Sequence, residues 1–296
     1  MRCRWAAAAG CCIVLGATAV HAHTKVTAVV IEGKELGEQE CIRPWTKDSN
    51  TPVFDPADEN LRCRTNQMDA SKTKVCAVKA GSTIKVLWTE SGKGSRAISD
   101  SHRGPFVAYM SPMEANGEGP VWFKIAEDGY DGAKDIWATD TIIKNKGYVD
   151  LTIPADLKPG QYLLRPEIIA LHEANRKFGA DSKAGAQFYP NCIQLTVEGT
   201  GTSVPAGVAI PGIYKPEDKG LFYDLWAGLK TYPIPGPEVY KAGSAPAPAS
   251  SNSNVATNPN SGTTNTTTTT TTAGRPCVRK NPARRRRLPE RKRDEI

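Results

Sequence analysis

Short runs in which apolar and polar residues alternate recur from Val26 to Val197, and this period of two predicts half-buried strands. The runs are Val26–Ile31, Thr83–Trp88, Phe106–Met110, Tyr148–Ile153, Gln161–Arg165 and Cys192–Val197. Turn signals separate them, among them Glu32-Gly33, Ala80-Gly81-Ser82 and Lys158-Pro159-Gly160, where glycine supplies positive φ and proline fixes its own. Two irregular stretches, Pro44 to Leu61 and Asp128 to Asp135, exceed ordinary hairpin loops and are expected to carry binding surface. One short helix is expected near Leu221 to Lys230. The pattern predicts an all-β fold, an immunoglobulin-like antiparallel β-sandwich with long loops and a short helix.

The ends of the chain do not share this pattern. Arg2 and Arg4 precede an apolar run from Trp5 to Val20, and small residues Val20 and Ala22 flank a cleavage point, so residues 1–22 read as a secretory signal peptide. Removing them leaves Cys41, Cys63, Cys76, Cys192 and Cys277 of the eight cysteines. In an oxidising compartment the first four are expected to form two bridges, with three connectivities open, and Cys277 is left over. After a body spanning 23–241, residues 242–274 are rich in Ala, Pro, Ser, Asn and Thr, a composition that cannot bury apolar surface and predicts a solvated spacer. Asn265-Thr266-Thr267 in this spacer is a glycosylation sequon.

Residues 275–296 form a basic tail with ten Lys or Arg against three Asp or Glu, a balance of +7 equal to the net charge of the whole chain. The body is therefore near neutral, and the overall charge carries no nucleic-acid signal for it. A secreted, extracellular protein is expected, monomeric, with neither nucleic acid nor membrane as partner.

Cleavage after Ala22 makes His23 the first residue of the mature chain, where its free α-amine and its imidazole Nδ1 can chelate one metal ion. A second imidazole then completes a flat set of nitrogen donors, which favours Cu(II). Once His21 leaves, His102 and His172 are the remaining candidates. His102 sits in the turn-rich Ser99-Asp100-Ser101-His102-Arg103-Gly104-Pro105 segment entering a strand, a rigid place for a ligand. His172 ends the apolar Ile168-Ile169-Ala170-Leu171 run and reads as a satisfied core histidine, whose removal should mainly lower stability.

Several blocks resemble the fungal lytic polysaccharide monooxygenases of auxiliary-activity family nine, in the family's order. They are His23, Asp100 to Pro105, Pro159 to Arg165, Glu167 to His172, Gly185-Ala186-Gln187-Phe188-Tyr189-Pro190-Asn191-Cys192 and Ile234 to Pro237. The resemblance implies one copper per chain, held by the His23 amine and Nδ1 and by His102 Nε2, with Tyr189 axial. It gives Gln187 an outer role beside oxygen species; the period of two places Gln187 on the strand face of Tyr189. It pairs Cys63 with Cys192, which leaves Cys41 with Cys76. Tyr232 matches a tyrosine of the substrate face, and Trp45 is a further candidate there.

By the same resemblance the enzyme takes electrons from an external donor and uses O2 or hydrogen peroxide. It oxidises carbon 1 or carbon 4 of cellulose, another β-glucan or a hemicellulose, and so breaks the glycosidic bond. One departure stands out: Pro166 follows Leu163-Leu164-Arg165 where the family is read as placing an outer histidine, and proline has no side-chain donor. Two rivals remain. A glycoside hydrolase would need two paired carboxylates, for which Glu167 and Glu173 are available but unmatched. A non-catalytic copper-binding or cell-wall-binding sandwich is the other. Only one cysteine follows the spacer, so no compact disulfide-stapled carbohydrate module is expected there.

Overall fold

The computed structural model describes residues 23–38, 40–44, 50–64 and 72–243. Residues 1–22, Trp45, the spacer from residue 244 on, Cys277 and the basic tail lie outside the described residues, and the expectations attached to them with it. The strands are β1 (Lys25–Ile31), β2 (Lys34–Gly37), β3 (Cys76–Lys79), β4 (Thr83–Thr89), β5 (Phe106–Pro112), β6 (Pro120–Asp128), β7 (Tyr130–Asp131), β8 (Ile136–Trp137), β9 (Tyr148–Thr152), β10 (Gly160–Ala170), β11 (Gln187–Pro190), β12 (Ile193–Glu198) and β13 (Val208–Ala209). One sheet runs β2-β1-β4-β9 and the other β13-β6-β5-β10-β12-β3, with β11 also paired to β10. Pairing is antiparallel except between β3 and β12. This is the all-β sandwich that the alternation predicts.

Alternate residues of the larger sheet feed two cores. Ala108, Met110, Ile168, Ala170 and Tyr189 pack between the sheets with Val26, Val29 and Trp88. Val107, Tyr109, Ile169, Leu171 and Phe188 pack on the opposite face with Tyr214, Leu221 and Tyr223 of the C-terminal segment. A strand buried on both faces loses the polar half of its alternation, which is why β10 reads as a run of apolar residues and extends five residues beyond the predicted Arg165. Covering the outer face also demands that Arg165 and Glu167 be satisfied inside the protein. They form a fully buried bidentate pair, Nη1 to Oε2 at 2.9 Å and Nη2 to Oε1 at 2.7 Å. Tyr214 donates to the same carboxylate, and Arg165 donates to the carbonyls of Leu61 and Arg62.

The expected helix at Leu221–Lys230 is not formed. Leu221 and Phe222 N–H both go to Asp218 O, Tyr223 N–H goes to the distant Ala174 O, and Gly228 takes a φ of +68°, so no helical ladder propagates. The α-helix among the described residues is α1 (Ala138–Lys144), where the Asp140 carboxylate accepts the Trp137 N–H across the first turn. The Asp128–Asp135 stretch is also more regular than expected, since β7 and β8 pair as a small hairpin. Disulfides join Cys41 to Cys76 and Cys63 to Cys192. The second ties the 59–64 segment to the junction of β11 and β12.

Candidate metal centre

The start of β1, the entry to β5, the exit of β10 and the start of β11 all lie at one end of the sandwich, because β5 and β11 are antiparallel to β10. The N-terminal arm is pinned there. Thr24 Oγ1 donates to Ala97 O, and Val26 N donates to Asn191 Oδ1 at 3.2 Å. The His102 segment is zipped onto the end of β10 by Ile169 N to Pro105 O and Leu171 N to Arg103 O. Gly104 permits this approach, since a Cβ there would stand 1.9 Å from Ile169 O. His102 and His172 are thereby brought into ring contact, centres 3.9 Å apart and planes tilted by 31°.

His23, His102 and Tyr189 form a near-equilateral group, with ring centres 6.4, 6.3 and 6.3 Å apart. An imidazole nitrogen binds a first-row metal at about 2 Å, so two imidazoles on opposite sides of one ion have ring centres roughly 6 Å apart. The His23–His102 spacing fits. No set of three or more His, Cys, Asp or Glu side chains among the described residues is arranged to hold a metal. A site here therefore needs a ligand of another kind, and the α-amine of a chain beginning at His23 would be one. Ser101 Oγ lies 3.1 Å from His102 Nδ1. With Nδ1 protonated and donating to that hydroxyl, Nε2 is the lone-pair atom.

Burial, reinforced by His172, His23 and Arg96, pushes the His102 pKa down to about 3. The ring is thus neutral, as a ligand must be. In the unfolded chain histidine titrates near 6.5, so below that pH the unfolded state binds a proton that the folded state refuses. The metal-free protein is expected to lose stability as pH falls from about 6.5 toward 3. His102→Ala should lose less over that window, a comparison readable from melting curves at stepped pH.

Tyr189 is fully buried and its hydroxyl donates to Gln187 Oε1 at 2.9 Å, so both side chains share the inner face. Burial raises the phenol's pKa well above its ordinary value, partly offset by Arg64, and holds it protonated. Pro166 is not at the histidine cluster. It lies two residues inward from Ile168, the partner of Tyr189, whereas Ala170, the partner of Gln187, lies two residues outward and His172 two further. Pro166 O accepts the Asn191 N–H at the β11–β12 junction, where its missing N–H is tolerated. The position beside His102 belongs to His172, whose buried Nδ1 has no partner. Continuing the period of two from Ile168 through Ala170 is the signal that would have found it. His172 is thus a member of the cluster rather than a satisfied core histidine, and no gain is expected from a histidine at 166.

Tyr232 is half-buried, its hydroxyl donating to Gly220 O at 2.6 Å and its ring set edge-on against Trp137 and Tyr223. Next to it a cleft of about 500 Å³ runs from Asp100 and Ser101 past Tyr130, Trp137 and Tyr223 to Trp226 and Leu229. Trp226 is 73% exposed, and nothing in the alternation marks it. The rival pair of carboxylates is spoken for: Glu167 by Arg165, and Glu173 by Arg176.

Fold and site together define a β-sandwich protein that gathers imidazoles and a phenol at one end, beside an aromatic-lined surface. The chain belongs to Auxiliary Activity family 9 (formerly GH61), whose model matches residues 23–232. It is 42% identical over 229 residues to AA9 family lytic polysaccharide monooxygenase A of Aspergillus niger, across 76% of this chain and 54% of that protein. It is 40% identical over 238 residues to the family's monooxygenase B of Emericella nidulans, across 79% and 64%. The chain thus spans between about half and two thirds of the length of these relatives. Among solved structures, CvAA9A superposes with a TM-score of 0.70 at 36% identity, over 74% of this chain and 98% of that one. The extended catalytic domain of H. jecorina LPMO9A gives 0.60 at 27%, over 76% and 98%.

Proposed function

We propose that the protein is a secreted, copper-dependent lytic polysaccharide monooxygenase acting on cellulose or a related β-1,4-glucan at carbon 1, carbon 4 or both. The observation that carries this is the His23–His102–Tyr189 triangle, whose His23 opens the family-matched segment. Cleavage after Ala22 makes His23 the first residue and frees its amine. His23 and His102 would hold one copper, with the Tyr189 phenol beside them. Copper supplies the one-electron couple with which O2 or hydrogen peroxide, fed by an external reductant, is turned on the sugar.

The surrounding residues set the stage for that chemistry. Ser101 orients His102, and Gln187 fixes the Tyr189 hydroxyl. His172 holds an uncommitted Nδ1 beside the centre, where it can donate a hydrogen bond to a small oxidant or take its proton. Trp226 and the cleft behind it present rings for sugar faces. Trp226→Ala is expected to weaken polysaccharide binding about two- to tenfold, the worth of one aromatic contact, with copper affinity unchanged. Pull-down on insoluble cellulose measures it. The test of the function itself is product analysis of the mature chain on cellulose with copper and reductant. Oxidised oligosaccharides support it, and binding without any product would favour a non-catalytic wall-binding protein.

A further inference from the structure

Among the described residues, Arg64 is a strongly buried cation at this end of the sandwich that the proposed chemistry leaves unused. It is 4% exposed, and its backbone takes a left-handed φ of 59°, a conformation uncommon for side chains other than Asn, Asp and Gly. Its Nη1 donates to Thr24 O at 2.8 Å and its Nε to Thr51 O at 2.9 Å. Its guanidinium carbon lies 5.2 Å from the centre of the Tyr189 ring, on the residue that faces both histidines. Among the described residues no carboxylate pairs with it, and Nη2 has no hydrogen-bond partner. The Cys63–Cys192 bridge and the carbonyl contacts of Arg165 hold its segment in place.

An unneutralised buried charge is costly, so its retention against this ring calls for a use. We infer that Arg64 is a positioning residue for the His23–His102 centre: it clamps the His23-Thr24 arm through the Thr24 carbonyl and sets a fixed positive charge one ring away, biasing bound copper toward Cu(I). The inference rests on the copper reading above. A nearby cation disfavours the doubly charged ion relative to the singly charged one. At an effective dielectric of about 20, one charge roughly 10–12 Å away, beyond the Tyr189 ring, shifts that balance by about an order of magnitude. Burial lowers the guanidinium's pKa to about 10, which leaves it charged at neutral pH.

The test uses the full mature chain beginning at His23, with Cu(I) and Cu(II) affinities from competition titration and the midpoint potential of the copper form. Arg64→Asn is neutral and suits the left-handed backbone, so its fold is expected to survive; Arg64→Lys retains charge. In Arg64→Asn the ratio of Cu(I) to Cu(II) affinity should fall about tenfold, equivalent to about 59 mV for one electron, and Arg64→Lys should recover most of it. An unchanged ratio in Arg64→Asn, or equal losses of both affinities, would overturn the charge assignment while leaving the copper reading standing. A wild-type chain that binds no copper would overturn that reading and this inference together.

Discussion

His102→Ala lowers Cu(II) affinity by more than about 100-fold, beyond the 10–100-fold that outer partners of a metal site contribute. The side chain lost is one arm of the 6.4 Å imidazole pair, and the Ser101 contact that orients it has no substitute. His172→Ala behaves differently. The ring lies tilted against His102 and leaves Nδ1 uncommitted, so copper affinity should change by less than about tenfold, while oxidant-driven turnover falls by about 10- to 100-fold. Calorimetric titration with turnover on the same preparations separates the two. Equal affinity losses would mean that His172 is itself a ligand.

Arg165→Met is expected to cost about 3–5 kcal/mol, because it leaves Glu167 charged and unpaired in the second core. For a domain of this size that corresponds to a melting temperature lower by roughly 6–20 °C. Glu167 lies beneath the site face, with Tyr214 and Tyr109 chained to it by hydroxyl contacts at 2.9 and 3.2 Å. The loss is therefore in stability, and the folded fraction should still bind copper. A variant melting within 2 °C of wild type, outside that roughly 6–20 °C range, would show that the pair contributes little.

The strands were legible where one face is buried and the other wet, as in the first half of β4 and in β9. Legibility failed where tertiary contacts override the local pattern. β6 opens on Pro120, β11 is too short to show a period, and the Leu221–Lys230 segment spends its N–H groups on Asp218 and Ala174. At the site, His23, His102, Gln187 and Tyr189 could be named because their blocks are contiguous. His172 was misjudged because an apolar run looks the same whether its last residue points into a core or out of the strand's end. Arg64 gave no signal except its place next to Cys63, and Trp226 none at all: both acquire meaning only when a disulfide or a loop brings them to the face.

The central claim is that a chain beginning at His23 uses one copper at His23 and His102 to oxidise a β-glucan. Mass spectrometry of products from cellulose, incubated with the mature protein, one equivalent of copper, a reductant and peroxide, tests it most directly. The account predicts oligosaccharides carrying one added oxygen or its lactone or ketone equivalent, absent when copper is omitted and absent for His102→Ala. Unoxidised oligosaccharides released equally with and without copper would contradict it.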